Sequence, residues 1–284
     1  MKNLIVVPLD FDEQSMIALE QAANVAEVLQ SDIILLHVTD EPGKSASAQA
    51  YHEEKEAEIR EKLDVIARNV GTESGLNVRY EIRYGKVYRE VCDFAEEKEA
   101  SLIIMGCNSS RGLKRFIGSN ALRVVRESKT PVITIKGKTH RKGCEHILLP
   151  LDLTKETREK VARALDFARA YGSEIHVMSV RESDKFDMSA LTRQMNQVQR
   201  FIEDHGVPVK TEFVEKKGSV AETIIEYGSR NDIDLIMIMT QQEQDITELF
   251  IGSQAQELIN KSEIPVLSVI PRTSESTAGS VIFS

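Results

Sequence analysis

No stretch of this 284-residue chain approaches the apolar length needed to cross a membrane, so a spanning helix is not expected. Cysteine is scarce: Cys92, Cys107 and Cys144 are odd in number and scattered, without metal-like pairing, which excludes a disulfide framework. Cys107, beside Gly106, reads as a small buried filler, with oxidant sensing as the alternative. Positive charge is in deficit, with a net charge of -9, and a surface of that sign is a poor match for a phosphate backbone. No nucleic-acid or membrane partner is therefore expected. Met1 to Val7 holds one lysine and a four-residue apolar run before Pro8 and Asp10, too short for a signal peptide, and the expected location is cytoplasmic. Catalytic groupings are missing as well. The six histidines are dispersed, and His37 and His176 fall in strand-like runs where a packed role is expected.

Hydrophobic residues make up 41% of the chain and charged residues 29%, the composition of a soluble globular protein with room for two cores. One segment occurs twice. Phe116-Ile117-Gly118-Ser119-Asn120-Ala121 returns as Phe250-Ile251-Gly252-Ser253-Gln254-Ala255, and in each copy a proline, Pro131 or Pro265, follows the glycine by thirteen residues and opens an apolar run. Around these segments strand and helix patterns alternate. Leu4 to Val7 and Ile33 to Val38 read as buried strands, 13–29 and 46–70 as helices, 78–84 as a half-exposed edge strand, and 102–105 and 132–136 as further strands. Helices over 86–97 and 118–128 complete the first half. The second half repeats the order from Ile147-Leu148-Leu149-Pro150-Leu151-Asp152, at an offset of 142 residues that closes to 134, implying a middle shorter by one or two helical turns. Strands separated by helices imply right-handed crossovers and parallel sheets. The expected domains are 1–138 and 144–271, joined by a basic linker and followed by a loose tail over 272–284.

Ligands of open parallel sheets sit beyond the carboxyl ends of the strands, where strand order reverses. Two loops should flank that crevice in the first half: Pro8-Leu9-Asp10 and the long loop from Gly106 to Gly118. Gly106 would let the backbone approach a ligand without a Cβ in the way. Gly118-Ser119 opens a helix whose free N–H groups favour an anion, and Arg111, Lys114 and Arg115 precede it with no acid between them. A glycine turn and a capped helix with ordinary surface cations would look the same, so the residues alone leave both readings open. The corresponding loop of the second half carries Glu243, Asp245 and Glu248 and no base. Each added negative charge about 10 Å from a phosphate costs about 1–2 kcal/mol at an effective dielectric near 20. Gly252-Ser253 is thus expected to keep the helix start and to have lost an anion.

The strand endings Val-Pro-Leu-Asp and Ile-Ile-Met-Gly, the Gly-Ser helix entry and the Pro-Val strand together resemble the universal stress protein family, once per half over residues 1–271. The resemblance implies an α/β fold: two tandem Rossmann-like domains of the adenine nucleotide alpha hydrolase-like type, each a five-stranded parallel sheet with helices on both faces. Its ATP-binding branch carries G-x2-G-x9-G-[ST]. Gly106 matches the first glycine and Gly118-Ser119 the last pair, while Ser109 replaces the middle glycine, the loop is one residue shorter, and Gly112 supplies flexibility nearby. By resemblance Asp10 and the Val38 backbone would face the nucleoside, and Gly106, Ser109, Gly118, Ser119 and Asn120 the phosphates, with Pro8, Met105 and Gly112 completing the expected binding set. The implied cofactor is ATP or another adenine nucleotide, with Mg as an option. The family also pairs its last strands edge to edge, so Val132 to Lys136 and Val266 to Ile270 are candidates to pair within the chain, alongside a homodimer. The function implied is stress-response regulation by nucleotide binding, mainly in the first half. The alternatives are a nucleotide-free scaffold acting through an unidentified protein partner, and a slow ATPase or self-phosphorylating protein using Ser109, Ser110 or Ser119. Beyond such weak ATPase activity no enzyme is expected.

Overall fold

The computed structural model describes residues 3–43, 45–107, 119–137, 143–151, 157–181, 188–239 and 252–269. In the first half the strands are β1 (Leu4–Pro8), β2 (Asp32–Thr39), β3 (Val78–Tyr84), β4 (Leu102–Gly106) and β5 (Val132–Ile135), alternating with α1 (Glu13–Leu29), α2 (Ala46–Ser74), α3 (Val87–Glu97) and α4 (Ser119–Glu127). The second half repeats this as β6 (His146–Pro150), α5 (Thr157–Tyr171), β7 (Glu174–Arg181), α6 (Met188–Asp204), β8 (Val209–Glu215), α7 (Val220–Arg230), β9 (Leu235–Met239), α8 (Ser253–Lys261) and β10 (Val266–Val269).

The apolar runs become strands because both of their faces are covered. Ile5 and Val7 point into one core with α1, α2, α5 and α6, whereas Val6 points into a second core with α3, α4, α7 and α8. Both cores run through both halves. All ten strands form one sheet in the order β3-β2-β1-β4-β5-β10-β9-β6-β7-β8. Each half is parallel throughout. The seam between them is antiparallel, with Val266 opposite Thr134, Leu267 opposite Ile133 and Ser268 opposite Val132. The last strands therefore pair within the chain, as the resemblance implied. Two further contacts brace this seam region: the Gln14 side chain donates to the Gly137 carbonyl at 2.6 Å and accepts from its N–H at 3.1 Å, and Lys136 Nζ donates to the Asn260 carbonyl at 2.5 Å.

The shortening of the second half lies in one helix. α2 has 29 residues and α6 has 17, so the difference is about three turns rather than the expected one or two. Longer connections elsewhere recover part of it. The paired registers set His146 against Leu4, Glu174 against Asp32 and Val209 against Val78 as equivalent positions. They also equate Met239 with Gly106, each sitting at the end of its strand beside the seam strand.

Candidate functional site

In each half strand order reverses between two neighbours, β1 and β4 or β6 and β9. The chain leaves one strand for one face and its neighbour for the other, which opens a crevice over their carboxyl ends. In the first half Pro8 ends β1 beside Leu36, and the Leu9 N–H donates to the Leu36 carbonyl at 2.9 Å. Val38 is two residues further along β2, so its backbone groups turn to that same side, past the end of β1. Met105 is buried, Gly106 closes β4, Ser119 opens α4 and Asn120 is exposed. Pro8, Asp10, Val38, Met105 and Gly106 thus share the carboxyl edge of the sheet. Ser109, Gly112 and Gly118 lie outside the described residues, as do the basic loop and Asp152.

Two roles assigned from sequence acquire other causes. A Cβ at Gly106 would stand 2.5 Å from the carbonyl carbon and oxygen of Gln14 and 2.8 Å from the Ser15 nitrogen. Glycine is required there by the first turn of α1, whatever occupies the crevice. Asp10 is exposed, and its Oδ1 accepts from the Asp12 N–H at 3.3 Å, a local turn of the kind aspartate makes with the backbone two residues on. Asp12 then caps α1 by accepting from the Ser15 N–H at 2.8 Å. Burial first, and then the neighbouring Asp10 charge, push the Asp12 carboxyl above its ordinary value against the pull of that cap.

Between these two acids Phe11 adopts a left-handed backbone with φ of 66°, uncommon for a bulky side chain. Its ring stacks on His37 at 5.0 Å, and His37 Nδ1 lies 2.7 Å from the Leu9 carbonyl, which requires the Nδ1–H tautomer. Burial lowers the His37 pKa. The packed role read for this histidine holds. Cys107 is 2% exposed and its thiol is pushed up to about 12 by burial, so it is an inert filler at neutral pH.

The second half carries a formed cavity of about 790 Å³ at the equivalent place, within the range that holds cofactor-sized molecules. Leu151, Val180, Ile238 and Met239 supply its apolar wall. Lys160, Arg181 and Lys216 bring positive charge to the lining, and Glu215 accepts from Arg181 at 3.3 Å. Ser179 stands where His37 stands in the first half. Sequence patterns could not reveal this space, because its walls are ordinary apolar strand ends. Between Met239 and Gly252-Ser253 the family's spacing is kept, with Met239 and Gln242 in the places of the first two glycines. Residues 240–251 themselves, with their three acids, lie outside the described residues.

A doubled, seam-joined α/β sheet with a crevice at each reversal of strand order defines a tandem Rossmann-like protein. The family model for the universal stress protein family matches residues 1–136 and again 143–269, and the chain belongs to that family. Among curated proteins, a universal stress protein of Methanocaldococcus jannaschii is 30% identical over 137 residues, which is 46% of this chain and 81% of the relative. The matched stretch is thus about the length of one half. Among solved structures, a universal stress protein from Archaeoglobus fulgidus superposes with a TM-score of 0.78 at 21% identity, covering 95% of this chain and 99% of that one. A putative universal stress protein from Pseudomonas aeruginosa gives 0.69 at 20% identity, over 95% and 94% of the two chains. At that identity these two likenesses speak for the tandem fold alone.

Proposed function

We propose that this protein is a stress-response regulator that binds an adenine nucleotide, mainly at the crevice of its first half, and acts by binding rather than catalysis. The observation that carries the reading is the convergence of Pro8, Val38 and Gly106 at a reversal of strand order, with α4 beginning at Ser119. That is the place where α/β sheets of this kind take nucleotides, and the amino end of a helix favours phosphate. The preceding loop adds Arg111, Lys114 and Arg115. Asp10 would orient the turn rather than touch metal, so Mg would enter with the phosphates if at all.

A second reading has its own support. The cavity of about 790 Å³ is in the second half, and its lining combines cationic residues with an apolar wall able to hold a base. Equilibrium dialysis with labelled ATP separates the two. The first reading expects about one nucleotide per chain, abolished by Gly118→Arg and kept in Gly252→Arg. The opposite pattern moves the site to the second half. Two equivalent sites contradict both, and no binding favours a nucleotide-free scaffold. Homodimerisation belongs to the proposal too, and it would need a surface other than β5 and β10, which are paired with each other.

A further inference from the structure

At the opposite ends of the strands, the second half gathers side chains that its twin does not. His146 begins β6, and Glu174 and His176 lie on β7 with Glu174 directly opposite His146. Their ligand atoms fall within 4.8 Å of one another. His176 Nε2 is 2.8 Å from Glu174 Oε2, and His146 Nδ1 is 3.6 Å from that same oxygen. The His146 Nδ1 atom is buried and has no hydrogen-bond partner, an arrangement that costs free energy unless something else occupies it. Behind His176, its Nδ1 lies 3.4 Å from the Tyr227 hydroxyl, which also interacts with Glu212. A histidine whose second nitrogen is held in this way has its ring orientation fixed for ligation.

The first half shows that the fold does not ask for these groups. The equivalent positions are Leu4, Asp32, Ile34 and Phe94, three of them apolar and packed into the core. Only the acid persists, and Asp32 is tied to Asn77 at 2.8 Å and to Arg79 at 4.0 Å. In the second half Lys210 replaces Arg79 but donates to Asn231 at 3.0 Å, leaving the Glu174 carboxylate to two imidazoles. Its charge remains near enough to His176 to oppose a cation, and the Glu174 carboxylate beside the ring acts more strongly in the other direction.

The geometry points to a site for one divalent transition-metal ion of the zinc type, ligated by His146 Nδ1, Glu174 Oε2 and His176 Nε2, with Tyr227 as the positioning residue behind His176. Tetrahedral zinc with bonds of about 2.0–2.2 Å sets its ligand atoms about 3.3–3.6 Å apart. The observed 2.8 and 3.6 Å lie about that value, and all three ligand atoms fall within 4.8 Å of one another. Three protein ligands leave a fourth position for water, and the His146 and Glu174 side chains are partly exposed. Binding displaces any proton on the ligating nitrogens, each imidazole keeping the N–H of its other ring nitrogen, and involves no redox step.

The full chain, stripped of metal, is titrated with Zn(II) against a chromophoric chelator and with Co(II) followed by visible absorption. The expected result is about one ion per chain, with the intense bands of four-coordinate Co(II). Glu174→Gln and His176→Gln should each weaken zinc at least 100-fold, and Tyr227→Phe about 10-fold. Absence of binding, or binding unchanged in a His146→Gln, Glu174→Gln double variant, overturns the site. Circular dichroism of the apo variants checks folding. If a variant does not fold, side-chain NMR of the intact protein decides: zinc should shift the signals of His146 and His176 among the six histidines, and unshifted signals for that pair overturn the proposal.

Discussion

The two halves of this chain share a fold almost element for element and differ at the two ends of their strands. At the carboxyl ends, Gly106 presses against the first turn of α1, whereas Met239 at the matching position lines a cavity. At the amino ends, Leu4, Ile34 and Phe94 offer the core only apolar atoms, whereas His146, His176 and Tyr227 bring polar groups there, with Tyr227 still packed in that core. Duplication thus left the buried strand centres in place and released their ends. The edges of a sheet are where substitutions change chemistry without changing topology.

The sharpest way to break the comparison is at its apolar side. Phe94 is 1% exposed, and Phe94→Ala should cost about 3–5 kcal/mol, whereas Tyr227→Phe at the equivalent position should cost about 1 kcal/mol, read from urea denaturation. Next comes the strand end. Gly106→Ala drives a Cβ into backbone atoms 2.5 Å away and should cost about 3 kcal/mol, whereas the volume-conserving Met239→Leu should cost less than about 1.5 kcal/mol. Equal losses at the two sites would show that Gly106 is not constrained by α1.

A smaller contrast lies in the helix starts. Ser219 and Glu222 form a reciprocal capping box on α7, while Lys86 caps α3 without a side-chain bond. Lys86→Ser should therefore stabilise by up to about 1 kcal/mol and Ser219→Ala destabilise by about as much, both visible as shifts in thermal midpoint. The smallest effect concerns pH. The folded His37 has a pKa below its ordinary 6.5, so the unfolded chain takes up its proton first. The stability this provides is present above about pH 6.5 and is lost as the pH falls through the folded value. His37→Asn should flatten that part of the profile. Ser179 gives the second half no counterpart, so an unchanged profile would place the titration elsewhere.

Much of this architecture was legible because apolar period and strand spacing are local signals. The run Leu4 to Val7, the stripe through Ile17, Ala18, Ala22 and Val25, and the alternation of Val78, Tyr80 and Ile82 all became the elements they suggested. The crevice could be placed from topology. The cause of Gly106 could not, because its neighbour Gln14 lies across the β1–β4 pair and far away in sequence. The histidine cluster was hidden for the same reason. His146 and His176 are thirty residues apart, and only the register of β6 on β7 brings them together, so histidines at the amino ends of adjacent parallel strands were the available signal.

The antiparallel seam of β5 and β10 has one more result. Because strands on either side of it run in opposite directions, the mouths of the two crevices face away from each other, on opposing rims of a single slab. A macromolecule seated on one rim would touch the contents of one half and not those of the other. The rims are opposed but not independent, because the three-residue seam, the Lys136 bond to Asn260 and the two cores that continue across it join the halves through packed side chains as well as backbone.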